Sequence, residues 1–439
     1  MKKLPLLFVS ILLCVAFPLK AQLPMSLEQV VDLALENNYS LRIVRNQQQI
    51  SVNNVTLGNA GMLPSLDVRS QFSGNLNNTD QVLRDGSENA LRNIHNTAFN
   101  ATLQGSWMLF DGFRAQIRYR QLDELRSLSE LNTRMALENL VARVAAEYYF
   151  YVQQQRLFSN LQYAVDLSKE RVRIEQEHFL LGSGSKVRLL QAQVNLNADS
   201  SRLERQYEVL SASRIRLAEL VAAEDLNTGL VPADTLILVN PGLQFDVLRE
   251  DVASQNTAIN MALQNRIISA YDLEIIRSRR LPYLNLTSGY GYTLSNSQSG
   301  AISQQQTWGM NYGLTVGINL YDGRNLQRQQ SNARIQLENQ ELALERMRQE
   351  IYADLLTLFN AYTNNMRLLG LETQNLEVAR ENLDIAFDRY RLGALSGFEL
   401  REVQKNLLEA EERLLSIQYQ AKMAEISLLQ LSGRILEQL

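Results

Sequence analysis

The 439 residues carry 47 acids against 43 lysines and arginines, a formal net charge of −4, with two histidines and one cysteine. That balance leaves no basic footprint for nucleic acid, and a lone cysteine excludes a disulfide framework. His95 and His178 stand apart from any acid or cysteine cluster, so no metal site, cofactor or catalytic residue is expected. Gly182-Ser183-Gly184-Ser185 lacks the lysine and the preceding strand of a phosphate loop. Nothing here reads as an enzyme.

The chain opens on Met1-Lys2-Lys3 and an apolar run over residues 4–17, a basic segment followed by one too short to span a bilayer. We expect a signal peptide over residues 1–21, cleaved after Ala21. Its removal takes away Cys14 and three lysines, lowering the charge to −7. A lipid anchor on Cys14 is the alternative, although Leu13 stands before it where a small residue is expected. No later run of 18 apolar residues exists, so no transmembrane helix is expected.

Ser26-Leu27-Glu28-Gln29 has the form of a capping box and starts a helix expected to run to about Ala60, ahead of Pro64. Phe113 to Leu181 holds no Pro or Gly and predicts one helix of about 69 residues, near 100 Å. Lys186 to Ala223 predicts a second. The pattern then repeats, with helices of about 35 residues from Asp246, about 67 from Asn325 and about 35 from Phe398.

The repetition extends to short marks. Leu63-Pro64-Ser65-Leu66 matches Leu281-Pro282-Tyr283-Leu284 at an offset of 218. Phe110-Asp111-Gly112 matches Tyr321-Asp322-Gly323, and Leu181-Gly182 matches Leu392-Gly393, both at 211. The chain is therefore read as two repeats, residues 22–223 and 246–439, joined by a linker over residues 224–245. Within each, two short helices stacked end to end match one long helix.

Leu189, Leu196, Leu203, Leu210 and Leu217 recur every seven residues, as do Leu400, Leu407, Leu414, Ala421 and Leu428. Val403, Ala410, Ile417, Ala424 and Leu431 complete an a/d seam. An ordinary helical bundle would fit the same stripes. Helices of this length with sustained heptads favour an extended coiled coil.

Between the Leu-Pro and Asp-Gly marks the period switches to two. Phe99, Ala101, Leu103, Gly105, Trp107 and Leu109 alternate with polar residues, as do Leu284 to Leu294 and Trp308 to Leu320. The first strand, Leu66 to about Phe72, is the weakest. One apolar face and one of Asn, Thr, Gly and Ser is the pattern of an outer-membrane barrel strand. A half-buried soluble sheet is the alternative, but it would carry more charge on its wet face. Trp107, Phe110, Trp308 and Tyr321 lie near strand ends as interface aromatics. Residues 75–96 and 295–306 read as polar loops. Four strands cannot close a barrel and open edges in lipid are not tolerated, so the chain must oligomerise. A dimer would give eight strands and a homotrimer twelve; we favour the trimer.

In order and spacing these features resemble the TolC-like outer-membrane efflux proteins, with Asn38-Tyr39-Ser40-Leu41 as a further mark. The resemblance covers essentially the whole chain after the signal peptide. It implies a mainly α fold with a β-barrel contribution: duplicated coiled-coil hairpins and four transmembrane strands per chain, closed as a 12-stranded barrel in a homotrimer. It implies location in the outer membrane, contact with its lipid, and extension into the periplasm. It further implies partnership with a periplasmic adaptor and an inner-membrane pump, exporting drugs, toxic small molecules or secreted proteins.

The resemblance also assigns residues. Leu181, Gly182, Ser183, Leu392, Gly393 and Ala394 would meet the adaptor, and Glu399 and Glu402 would form a cation-attracting ring. Three copies of each acid in a narrow throat would focus potential and raise some carboxyl pKa values by repulsion. Ordinary solvated acids in a first helical turn are the alternative. Tyr390 matches a gate-linking tyrosine. Leu395 stands where the family has a basic residue and Arg188 where it has an acid, so the link would run instead through Arg188 and Arg401. A periplasmic coiled-coil adaptor or scaffold without membrane insertion is the competing function. A surface-binding protein using the outer loops is a third.

Overall fold

The computed structural model describes residues 24–226, 230–299 and 302–438; the expected signal peptide with Cys14 lies outside them. Two uninterrupted helices of 67 residues form, α4 (Arg114–Leu180), which holds neither Pro nor Gly, and α8 (Asn325–Arg391), which holds no Pro and runs straight through Gly370, each about 100 Å long. Each starts from an Asp-Gly turn whose carboxylate accepts a bond from the new helix: Ala115 N to Asp111 Oδ1 at 3.2 Å, and Leu326 N to Asp322 Oδ2 at 2.8 Å. An anionic cap here also suits the helix dipole.

The expected single first helix is instead three: α1 (Leu27–Asn37), α2 (Tyr39–Asn54) and α3 (Leu57–Ala60). The Ser26 capping box that opens α1 is present. The helix expected from Asp246 is likewise two, α6 (Phe245–Gln255) and α7 (Thr257–Ser278). Asn38 and Asn256, 218 residues apart, make these breaks. Asn38 Oδ1 accepts from Leu41 N at 3.1 Å and its Nδ2 donates to Leu220 O at 2.9 Å. Asn256 repeats this with Ile259 N at 2.9 Å and Leu431 O at 2.8 Å. Leu220 and Leu431 end α5 (Lys186–Leu220) and α9 (Gly397–Leu431). One side chain thus caps the second helix of each pair and satisfies an orphan carbonyl of the neighbouring rod. This is the joint of the broken rod beside each long helix.

The heptad stripe of α9 is buried at Leu400, Leu407, Leu414, Ala421 and Leu428, between α4 and α8. The matching stripe of α5 is only half-buried until Leu217, because α5 packs chiefly along α4. A short helix, α10 (Ile435–Gln438), ends the described chain.

Four strands form one antiparallel sheet in the order β1 (Ser65–Val82), β2 (Glu88–Phe110), β3 (Tyr283–Asn296) and β4 (Gln304–Gly317). The expected loop over residues 75–96 is a correction: it is mostly ladder. β1 and β2 stay paired to Val82↔Glu88, across a register shift between Asn77 and Thr79. Backbone pairing, invisible to hydrophobic patterning, extends this hairpin, and the strand that reads weakest is longer than β3 or β4. β4 stops at Gly317 rather than Leu320. Its partner β3 begins at Tyr283, after Pro282, which has no N–H to continue the ladder.

The linker is pinned to the helices. Met25 and Pro232 form an isolated bridge, and Tyr148 Oη donates to Met25 O at 3.1 Å. Asn240 N donates to Glu425 Oε2 at 3.0 Å, while Tyr362 Oη donates to Asn240 O. Glu425 Oε1 in turn holds the buried Lys422 ammonium at 2.9 Å, which lies 5.1 Å from the Tyr149 ring centre. Burial pushes the Tyr149 phenol up to about 12.

Candidate functional site

The two hairpin tips share one local design. After α4, Gly182 takes φ +75°, its N–H donates to Phe179 O at 3.2 Å, and Ser183 N donates to His178 O at 3.0 Å. After α8, Gly393 takes φ +74°, with Gly393 N to Tyr390 O at 2.9 Å and Ala394 N to Arg389 O at 2.8 Å. These are Schellman endings, in which only glycine adopts the left-handed turn without strain. They leave Leu181 79% and Leu392 82% exposed, apolar side chains presented at the extremity of each hairpin.

Behind the tips a polar network ties the first hairpin to the second. Tyr390 Oη donates to Glu175 Oε1 at 2.7 Å. Arg171 donates from Nη2 to Gly397 O at 3.0 Å and from Nη1 to Gln404 Oε1 at 3.2 Å. Arg401 grips Asp199 through Nη1 at 2.6 Å and Nη2 at 2.8 Å, and Ser168 Oγ donates to Asp199 Oδ2 at 2.6 Å. Arg171, Glu175, Asp199 and Gln404 are all buried. Burial, then Glu175, pushes the Tyr390 phenol up, and burial pulls the Arg171 guanidinium down. Bidentate charge pairing of this kind holds elements in one register.

Of the gate residues named from sequence, Tyr390 and Arg401 belong to this network. Arg188 does not: it is exposed, and its backbone N–H bonds Ser185 while no side-chain partner is present among the described residues. The sequence reading missed Arg171, Glu175, Asp199, Ser168 and Gln404. A signal existed for Asp199: it occupies the seam position filled by Ala410 in the other repeat.

Glu399 and Glu402 lie on the first turns of α9, both exposed. Glu399 completes a capping box: Ser396 N and Oγ donate to its carboxylate at 3.0 and 2.7 Å. These bonds hold its pKa below the ordinary value. The rise expected from repulsion needs several converging copies; within one chain the direction is downward. The cap's contribution is therefore present above pH 4.5 and lost as pH falls through the lowered value.

At the other end of the molecule the sheet carries one apolar face. Leu66, Val68, Phe72, Met310, Leu314 and Val316 are exposed on it. Trp107 pairs with Leu286 near the helical end, its Nε1 donating to Met62 O at 3.0 Å, and Trp308 pairs with Tyr292 toward the loops. The two tryptophans are about 20 Å apart along the strands, at 3.3 Å per residue. Phe110 ends β2 and packs edge-on against Phe113, while Tyr321 lies beyond the end of β4 and is exposed. No helix among the described residues is long and apolar enough to cross a membrane. No cluster of metal-ligating side chains is present among them.

A strand unit with a lipid-type face, continued by 100 Å helices that end in paired tips, defines an outer-membrane channel subunit with a long extramembrane extension. The family model described as "Outer membrane efflux protein" matches residues 30–223 and 248–434, and the chain belongs to that family. The proteases secretion protein PrtF of Dickeya chrysanthemi is 21% identical over 417 residues, spanning 94% of this chain and 89% of the relative. The cation efflux system protein CusC of Escherichia coli O157:H7 is 23% identical over 425 residues, spanning 91% and 84%. Among solved structures, the Campylobacter jejuni CmeC outer membrane channel superimposes with a TM-score of 0.75 at 18% identity, covering 93% of this chain and 85% of that one. The protein is an outer-membrane efflux channel extending into the periplasm, not an enzyme. The reading as an adaptor without membrane insertion is thereby set aside.

Proposed function

We propose that three copies assemble into a passive channel-tunnel: a 12-stranded barrel in the outer membrane, a helical barrel across the periplasm, and a closable mouth at the tips. A four-stranded sheet with both edges open and one face apolar carries this reading, since lipid tolerates no unpaired edge. The duct serves as the outer component of a tripartite pump. Its exposed Leu181 and Leu392 tips, with Gly182, Ser183, Gly393 and Ala394, meet a periplasmic adaptor that couples it to an inner-membrane pump. Cargo is small toxic molecules, drugs or secreted proteins, chosen by the pump. The Arg171–Glu175–Tyr390 and Arg401–Asp199 contacts hold the hairpins in the closed arrangement, and opening requires them to part.

In this assembly Glu399 and Glu402 of three copies face one another as a ring that concentrates cations. Single-channel recording tests the assignment. Block by a multivalent cation added on the tip side should weaken on the order of tenfold or more in Glu399→Ala/Glu402→Ala, which removes the facing carboxylates. Unchanged block would remove both residues from the ring.

A further inference from the structure

Where strands give way to helices the charge balance reverses. Residues 111–120, 277–283 and 318–328 lie where β2 meets α4, α7 meets β3 and β4 meets α8. Together they hold eight arginines and two acids, a net of +6 in a chain whose net charge is −4. All of these arginines are exposed. Both acids, Asp111 and Asp322, are occupied in capping α4 and α8. Only Arg114 meets a carboxylate, Asp111 Oδ2 at 3.2 Å, while Arg118 and Arg279 donate to the neutral Gln121 and Gln329. Arg120, Arg277, Arg280, Arg324 and Arg328 have no side-chain partner among the described residues.

Helix formation does not ask for this charge. A cation at a helix N-terminus opposes the dipole, yet Arg114 opens α4, Arg324 caps α8 and Arg328 follows within its first turn, with no acid in the first turn of either helix. What the position does offer is the edge of a membrane. Every arginine of the band lies within about two helical turns of a strand–helix junction. On the strand side of the band Leu320, Tyr321 and Trp107 are exposed. Phe113 and Arg324 hold the same place in the two repeats, each capping a long helix at positive φ and each exposed. An aromatic ring and a long cation are the two kinds of side chain that anchor at a bilayer interface.

We infer that this arginine band binds the phosphate headgroups of anionic phospholipids in the periplasmic leaflet of the outer membrane. Guanidinium grips phosphate through two parallel hydrogen bonds, and cations just outside a bilayer are drawn to its anionic lipids. The inference rests on the membrane-seated barrel proposed above and names the lipid chemistry at its periplasmic rim.

The two tryptophans, one near each end of the strands, allow the rim to be read alone. The full chain carrying Trp308→Phe is extracted from the outer membrane and reconstituted in vesicles of brominated phosphatidylcholine, into which unbrominated phosphatidylglycerol is titrated. Phosphatidylglycerol should relieve the quenching of Trp107 with a preference of ~5-fold or more over unbrominated phosphatidylcholine, the gain that one arginine gives an anionic headgroup. Arg277→Gln/Arg280→Gln/Arg324→Gln/Arg328→Gln should bring that preference to about one. Arg277→Lys/Arg280→Lys/Arg324→Lys/Arg328→Lys, which keeps the charge, should retain most of it. Lys186→Gln/Arg202→Gln/Arg205→Gln/Arg367→Gln removes equal charge far along the helices and should leave it unchanged. No preference in the parent protein overturns the inference and leaves the channel reading standing. So does a preference that survives the first glutamine variant or falls equally in the distant one. If brominated lipid quenches neither Trp107 nor, in a Trp107→Phe chain, Trp308, the sheet is not in lipid and both readings fall.

Discussion

Arg401→Ala is expected to loosen the closed mouth more than any other single change at the tips. Asp199 is buried and receives both guanidinium nitrogens of Arg401 together with the Ser168 hydroxyl. Removing the cation strands a buried carboxylate, which costs roughly 3–5 kcal/mol. If only half of that bears on the closed arrangement, the open fraction rises roughly 10- to 70-fold. Recordings in planar bilayers should show a higher mean conductance, with Arg401→Lys intermediate because it keeps the charge and loses the two-pronged grip. Tyr390→Phe should act in the same direction and more weakly, leaving Glu175 with neither oxygen bonded. Wild-type conductance in all three variants would dissociate the network from closure.

Glu425→Ala is expected to be the most destabilising substitution in the helical region away from the tips. The carboxylate neutralises the buried Lys422, which also faces the Tyr149 ring, and it accepts from Asn240 N, anchoring the linker. Loss of one partner from a buried pair costs about 3–5 kcal/mol, whereas replacing both by apolar residues of similar volume is close to neutral. Heat-induced loss of helical signal in detergent should therefore come earlier for Glu425→Ala, and nearer the wild-type temperature for Lys422→Met/Glu425→Leu. Equal destabilisation by both variants would mean that packing, rather than the stranded ammonium, sets the cost.

Much of this molecule is legible in its residues because its elements are long and duplicated. The absence of Pro and Gly from Arg114 to Leu180 leaves one helix as the only economical conformation, and period-two alternation from Trp308 to Val316 places a strand. The joints at Asn38 and Asn256 were not legible. A capping asparagine is indistinguishable from a surface one until the carbonyl it bonds, Leu220 or Leu431, is in place. The paired region from Asn75 to Asn96 was missed for a related reason, since ladder hydrogen bonds leave no hydrophobic signature. At the tips, the glycines and Tyr390 stood out by position. Their partners Arg171 and Glu175 did not, because charged residues four apart on a helix ordinarily face water.

The most direct test of the account is the mass and conductance of the protein taken from the outer membrane. The full chain, extracted in detergent and reconstituted in planar bilayers, is predicted to run as a trimer and to give discrete cation-preferring openings that multivalent cations block from the tip side. Recovery as a soluble periplasmic monomer, or as a detergent complex that conducts no ions, would contradict it.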